Sequence, residues 1–565
     1  MAEYLSPGVY VEEYDNSPRA IEGVGTGTAG FVGMAVKGAA KGAPSLITSF
    51  AEFLREFGGY LSEFTHGGYR FLAGSVEQFF ANGGTRCYIA RVVAPGACAA
   101  SASKGIVHIR AANEGIWGNR IRIHIASSAK KKIQLLEKAG ENAYRAKNAD
   151  GFMEGDTVVF GTEYNRIASI FDDVITFAVP FTDDPVDAGL VPKKLLYLVE
   201  TDIQVRYGDE VEEYAGVSFN VASPDYIMHR LKKSELVSIS VEAADKYDNS
   251  VNQIFEDGRM SGDIVLAGGN DGSIGAVTAG TFIGADNGPG SRSGIQAFIE
   301  NDQVSMLAVP GITIPDVIVS LVSHCENLKN RFAVLDMPED YVKTKELLEY
   351  RGMIDSTYAA MYHPWIQVYD RSTQKPGYFP PSGAVMGVYA RTDVTRGVHK
   401  APANETVMCA GLSVYYNKGE QDILNPAGVN LIRRLPGQGI RVWGARTASS
   451  NNAFQYVNVR RLFIYVEESI KANTNWVVFE PNDVTLWSRV SITISSFLDT
   501  LWRGGMLAGT SPEESYFVEI GPSTMTQDDI RSGRLICNIG ISPSRPAEFV
   551  IFRVTQYTAE SGSGN

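Results

Sequence analysis

Gly25-Thr-Gly27-Thr-Ala-Gly30 has the GxGxxG spacing that could cradle a pyrophosphate at a helix N-terminus. That chemistry needs a helix next, and the following Phe31-Val-Gly-Met-Ala-Val36 reads as a strand. The seven histidines are scattered, and none stands in an HxxxH or HExxH spacing. His108 and His124 fall on predicted strands and His324 beside Cys325 on a helix face, so structural roles fit better than metal ligation. No GxSxG elbow exists; the nearest string, residues 290–294, has Arg292 at its centre. A GxxxxGK[ST] loop is missing too. Leu266-Ala-Gly-Gly-Asn270-Asp271-Gly272-Ser273 follows a strand where a phosphate could sit, but Asn-Asp-Gly is more simply a tight turn. The strand ends near Pro310 and Asp336-Met-Pro338 could host an active site only by analogy of fold. The expectation is that there are no catalytic, cofactor-binding or metal-binding residues and no cofactor.

Composition narrows the classes further. Lys+Arg is 51 and Asp+Glu is 64 in 565 residues, a net charge of −13. A nucleic-acid binder needs a basic face to displace counterions, so that class is disfavoured. Residues 151–270 hold 22 acids and 9 bases, which accounts for the whole surplus and marks a distinct, solvated module. The five cysteines form no CxxC pair or Cys/His cluster. The N-terminal residues lack a basic start and an apolar stretch, and no run of about 18 apolar residues could span a membrane. These features predict free thiols in a reducing cytoplasm and no membrane insertion.

Along the chain, Val9, Val11 and Glu13 alternate with Tyr10, Glu12 and Tyr14, the pattern of a strand, which Asn16-Ser17-Pro18 then breaks. Phe50, Phe53, Leu54 and Phe57 recur at helical spacing before Gly58-Gly59. Residues 96–262 show several short alternating strands between turn residues, which predicts a β-sandwich or barrel. From 263 onward strands alternate with helices, among them one over Ser291–Asp302, which predicts a βαβ layer with a mostly parallel sheet. Two helices follow, with apolar stripes on Val459, Leu462, Phe463, Val466 and Ile470 and on Trp487, Val490, Ile494, Phe497, Leu498 and Leu501. Asn482 or Asp483 caps the second, and Arg460, Arg461, Glu467 and Glu468 either reach neighbours or pair locally on the first.

The chain closes with another alternating strand, Glu548, Phe549, Val550, Ile551, Phe552, Arg553 and Val554, set off from the body by Ser542, Pro543 and Pro546. The two terminal strands either pair within their own chain or exchange with neighbouring subunits by β-augmentation. Exchange is heterologous, so it propagates into rings or open helices. Two other classes stand beside it. A cytosolic α/β enzyme with an attached β-domain would need a convergent polar pocket, which the sequence does not offer. A non-contractile structural or adhesion module would leave the arms dispensable.

Several strings bear on this choice: YLSPGVYVEEY at the start, NGGTRCYIARV (82–92), HKAPANE (399–405), NPAGVNLIRRLPGQGIRVWGARTASSN (425–451), YVNVRRLFIYVEESI (456–470), VFEPND (478–483) with LW (486–487), and RPAEFVIFRVTQ (545–556). In this order they resemble the tail sheath proteins of contractile phages and injection systems. The resemblance covers nearly the whole chain and is weakest over 96–262. It implies a mixed α/β multidomain core with an inserted β-sandwich or barrel-like domain and extended terminal strand arms. The expected divisions are an N-terminal exchange arm (1–20), a first core segment (21–95), an inserted acidic outer domain (96–262), an α/β core layer (263–425), a tube-facing core (426–545), and a C-terminal exchange strand and tail (546–565). It implies a mechanical protein and no enzyme. The subunits would stack as sixfold rings or helical strands around an inner tube and shorten on triggering. The implied partners are other copies of the chain, the inner tube protein, and baseplate and terminator or cap proteins. Assembly in a bacterial host cytoplasm and a place in a virion tail or contractile particle follow from the same likeness. By match, Val9–Glu13 and Glu548–Val554 are the inter-subunit arms, with Asn16, Ser17, Pro18, Ser542, Pro543 and Pro546 as hinges. A helix near 524–535 is the tube-facing candidate, through Asp528, Asp529, Arg531 and Arg534.

Overall fold

The computed structural model describes residues 20–104, 107–128, 130–186, 194–241 and 262–551. The expected strands Val9–Glu13, the breakers Asn16, Ser17 and Pro18, and Phe552, Arg553 and Val554 lie outside them.

The chain folds around a nine-stranded mixed sheet. Its strands, numbered along the chain, are β1 (Ala29–Met34), β2 (Ser45–Ile47), β3 (Cys87–Val92), β4 (Met306–Ala308), β5 (Phe332–Asp336), β6 (Ala359–His363), β7 (Glu405–Thr406), β8 (Val429–Leu435) and β9 (Gly439–Val442). The spatial order is β2-β3-β1-β4-β5-β6-β8-β9-β7. The six strands from β3 to β8 are parallel, and antiparallel strands finish both sides. The inner strands are near-continuous apolar runs because both faces are covered. Ala29, Phe31, Phe332 and Val334 point to one face, and Val32, Met34, Ala333 and Leu335 to the other.

Helices α1 (Phe50–Phe57), α2 (Leu72–Ala81) and α5 (Ser382–Arg396) cover the first face; α3 (Pro315–Leu328) and α4 (Thr344–Arg351) cover the second. Helices α2 and α5 pack backbone to backbone. A Cβ at Gly383 would meet the Ser75 carbonyl oxygen at 2.2 Å, and one at Gly387 that of Phe79 at 2.4 Å. The expected mixed α/β architecture is therefore present. Gly25 and Gly27 lead into β1 and not into a helix.

The β-rich region is two nested units. A four-stranded and a three-stranded sheet share one core around Trp117, Ile123, Val205 and Phe219. Within that unit, between Ser127 and Glu200, a seven-stranded sheet closes on its own core of Ile133, Tyr144, Ile175, Phe177 and Phe181. Two expectations change here. Strand Gly262–Val265, read as the first of the α/β layer, pairs antiparallel with Arg122–Ser127 and belongs to the inserted unit. The helix expected over Ser291–Asp302 shortens to a 3-10 turn, Gly294–Phe298, because Gly294 holds φ +56° against the Gly284 backbone.

Past the sheet come α6 (Val457–Asn473), α7 (Val484–Arg503), and a two-stranded antiparallel hairpin, β10 (Tyr516–Ile520) and β11 (Cys537–Ile541). Leu462 and Val466 of α6, Leu486, Val490, Ile494, Phe497 and Leu498 of α7, and one face of the hairpin make a separate core. Asp483 caps α7 by accepting the Leu486 N–H at 2.9 Å, while Asn482 accepts from the Trp487 indole at 2.7 Å.

Candidate functional site

Three features converge on the C-terminal unit: an open hairpin and the roots of both chain termini. The hairpin alternates in side-chain direction. Tyr516, Val518, Ile520, Ile539 and Ile541 pack on α7, and Phe517 and Glu519 face outward. Among the described residues, β10 and β11 pair only with each other. Each strand thus keeps an outer edge free, and a two-stranded ribbon is marginal until further strands join it.

The C-terminal segment runs back across this unit. Ser542 donates its N–H to Ser515 and accepts from Ala508 (both 2.8 Å), Pro543 bridges to Leu507, and Ser544 donates to Met506 at 3.2 Å. Glu548 is then held on all sides. Arg446 donates from Nε at 2.9 Å and Nη2 at 2.6 Å, Tyr456 from its hydroxyl at 2.8 Å, and Asn425 from Nδ2 at 2.6 Å. Partial burial pushes this carboxyl up, but those hydrogen bonds and the Arg446 charge outweigh it and hold it below the usual range. Immediately beyond, Phe549, Val550 and Ile551 are 72, 68 and 79% exposed and join no strand among the described residues.

The N-terminal root lies along α6. Asn473 donates to the Glu22 carbonyl at 2.9 Å, and the Val24 N–H donates to the Ser469 hydroxyl at 3.1 Å. Arg461 donates to the Thr26 carbonyl at 3.0 Å while gripping Asp393 through Nη1 at 3.0 Å and Nη2 at 2.5 Å. The Thr26 hydroxyl donates to the same Asp393 at 2.6 Å. Both side chains of the Arg461–Asp393 pair are almost fully buried. Arg460 is sandwiched between the Tyr358 and Phe454 rings. Of the two alternatives open for these arginines, a neighbouring subunit or a local helix pair, the local pair does not form among the described residues; each is bound by other elements of its own chain. One continuous piece, residues 446–473, therefore holds both roots.

The helix proposed to face a tube forms over Gln527–Arg531. Its charges are partly spent at home. The Thr526 hydroxyl and backbone N–H, then Arg534 at 2.6 Å, bring the Asp529 carboxyl down to about 2. Asp528 and Arg531 are exposed and only loosely paired, at 3.7 Å.

The places where chemistry was conceivable are taken by structural roles. Asp336 is buried at the end of β5 and accepts from the Gly311 N–H at 3.0 Å, the Ser382 N–H at 2.8 Å and the Ser382 hydroxyl at 2.7 Å, so it caps α5; burial raises it to about 6. Burial lowers His324 and His363 to about 4, which keeps both neutral. Asn270 accepts the Gly272 N–H at 2.9 Å, as in a tight turn. Among the described residues, no cluster of His, Cys, Asp or Glu could hold a metal ion, and no helix is long and apolar enough to cross a membrane.

Comparison with known proteins agrees with this geometry. Residues 287–448 match the central domain model of phage tail sheath proteins, and 449–556 match the tail sheath C-terminal domain model. A putative prophage major tail sheath protein of Pseudomonas aeruginosa is 26% identical over 288 residues, 49% of this chain and 72% of the relative. The sheath complex of an extracellular contractile injection system, PVC, in its contracted state shares the fold at 22% identity with a TM-score of 0.53, over 99% of this chain and 100% of that one. The contracted helical sheath of the anti-feeding prophage does so at 21% identity and a TM-score of 0.52, over 98% and 99%. The chain belongs to the tail sheath family. It is a sheath protein of a contractile phage tail or injection system.

Proposed function

We propose that this chain polymerises as stacked sixfold rings or helical strands around an inner tube and shortens from a metastable extended state to drive that tube through an envelope. The carrying observation is the pairing of an open hairpin with an apolar segment that leaves the body at Glu548. A strand supplied by one subunit can complete the hairpin of the next; about four backbone hydrogen bonds at roughly 1 kcal/mol each give a few kcal/mol per arm. In this reading Val9–Glu13 and the C-terminal arm past Glu548, Phe549–Val554, are the exchanged strands, while Glu548 itself stays clamped to its own body. On the C-terminal side the pivot is the peptide after Glu548, since Ser542 to Ser544 are tied to the body. The N-terminal pivot falls before Glu22, where the hold on α6 begins. Solved sheaths of contracted particles share this fold, which supports a polymer. The acidic inserted units face outward, and Asp528 and Arg531 face the tube. Baseplate and terminator proteins bound the polymer, which forms in the bacterial cytoplasm. The protein carries out no catalysis and binds neither nucleic acid nor membrane.

Electron microscopy of the purified chain tests this. Striated hollow cylinders are expected, and loss of cylinders on deleting residues 549–565, which leaves the Glu548 clamp in place, with the melting temperature unchanged. Cylinders of normal yield from the truncated chain would overturn strand exchange by the C-terminal arm.

A further inference from the structure

The link between α6 and α7 contains a residue that nothing among the described residues accounts for. Val477 to Glu480 form a type II turn: the Glu480 N–H donates to the Val477 carbonyl at 3.2 Å, and Val478 sits at φ −68°, ψ 129°. The third position of such a turn needs positive φ, which glycine or asparagine adopts with little strain. Here it is Phe479, at φ +68°. Its side chain is 103% exposed, and Val478 and Val484 beside it are 62 and 67% exposed. A bulky aromatic in left-handed backbone and entirely in water is unfavourable on both counts, so the residue is held there for a contact outside the subunit.

We infer that Phe479 is an assembly knob that seats against the body of a second copy of this chain. Its position picks that occupant. Asn482 donates to the Arg534 carbonyl at 3.1 Å, and Trp487 lies against Gly521, so the loop is fastened to the connection that closes the open hairpin. If the hairpin takes a neighbour's arm, as proposed above, the donor's body is close. Its last fixed residue is Glu548, and two residues of extended chain span at most about 7 Å. An arm that enters at the Ile520–Cys537 end of the hairpin, as this seating requires, brings the body that lends it beside the loop carrying Phe479. This inference rests on the strand-exchange reading, and the experiment separates the two.

The test compares parent, Phe479→Gly and Phe479→Ala chains in sedimentation over a concentration series, with melting temperatures alongside. Glycine relieves the backbone, so Phe479→Gly is expected to melt no lower than the parent. Both variants are expected to raise the threshold concentration for cylinders by about tenfold or more, as loss of a central aromatic anchor does. A photo-crosslinking p-benzoylphenylalanine at 479 is expected to give sheath–sheath dimers in the cylinders, joined at the donor body. A parent that forms no cylinders overturns the polymer reading and this inference with it. A parent that forms them, with unchanged thresholds in both variants or no sheath–sheath crosslink, overturns this inference alone.

Discussion

Arg446 and Glu548 stand 102 residues apart and meet through two parallel hydrogen bonds, 2.9 and 2.6 Å long. With Tyr456 and Asn425 they form a closed receptor for one carboxylate, and Phe549 to Ile551 just beyond it join no strand among the described residues. Charge-assisted forks of this kind fix direction as well as position. Glu548→Gln keeps the shape but loses the charge, and should weaken the root by about 1–3 kcal/mol. Hydrogen exchange at Ala547 to Ile551 should rise several-fold, with global melting little changed. An unchanged exchange pattern would mean that the segment is held elsewhere.

The same contact sets a pH dependence. The Glu548 carboxyl is depressed in the folded chain from its ordinary 4.5, so its contribution is fully present above that value. It is lost as pH falls below 4.5 through the lower folded value. Partial burial and the Glu548 contact raise the Tyr456 phenol, which therefore stays a donor throughout. Protection at the root, the exchange rate divided into that of an unstructured peptide at the same pH, should be flat from pH 7 downward and then fall at the acid end, and Glu548→Gln should remove the step.

What the sequence revealed and what it hid divide along physical lines. The inner strands β1, β3, β5 and β6 are legible because a strand covered on both faces must be apolar throughout. The long helices α6 and α7 are legible from period and caps. Pairing is less so. Gly262–Val265 alternates like any strand, and only its partner, Arg122–Ser127, well over a hundred residues earlier, assigns it to the inserted unit. For the same reason 96–262 read as one β module, although two separate cores exist. The clamp was hidden differently. Glu548 entered only as the first residue of the C-terminal arm, and Arg446, Tyr456 and Asn425 gave no spacing signal, since they converge from separate stretches of the chain. Arg460 and Arg461 looked like surface charges because a one-dimensional pattern cannot show two rings or a buried Asp393 waiting for them.

Asp393 supports the third prediction. It neutralises Arg461 out of water and also accepts from Thr26 at the N-terminal root. Removing one partner strands the other charge, which costs about 3–5 kcal/mol at buried sites. Asp393→Ala should therefore lower denaturant stability by that order and release residues 22–26 to exchange. A loss under about 1 kcal/mol would show that water or Tyr389 takes over the pairing.

The nested insertion gives the fourth. The seven-stranded unit leaves its host after Ser127 and returns by Glu200, where the Ser128 N–H donates to the Glu200 carbonyl at 2.9 Å. It has an apolar core of its own, but the host core around Trp117 includes Val199, and Val159 and Tyr164 of the inserted unit pack against it. Beside that apolar packing, polar contacts cross the join: Lys131 with Glu200 at 2.7 Å, and Asn220 with Asp156 at 2.8 Å. Lys131 and Asp156 would leave with the excised segment, which strands Glu200, but that group lies at the rim where a short linker admits water. Residues 129–198 replaced by a short Gly-Ser linker, so that Val199 stays in the host core, should leave the remainder cooperatively folded, with its melting lowered by the lost packing of Val159 and Tyr164. If the unit faces outward, the excised chain should still form cylinders, of smaller outer diameter and unchanged bore. Cylinders of unchanged outer diameter would place the unit elsewhere, and loss of cylinders from a well-folded excised chain would make it an assembly element in its own right.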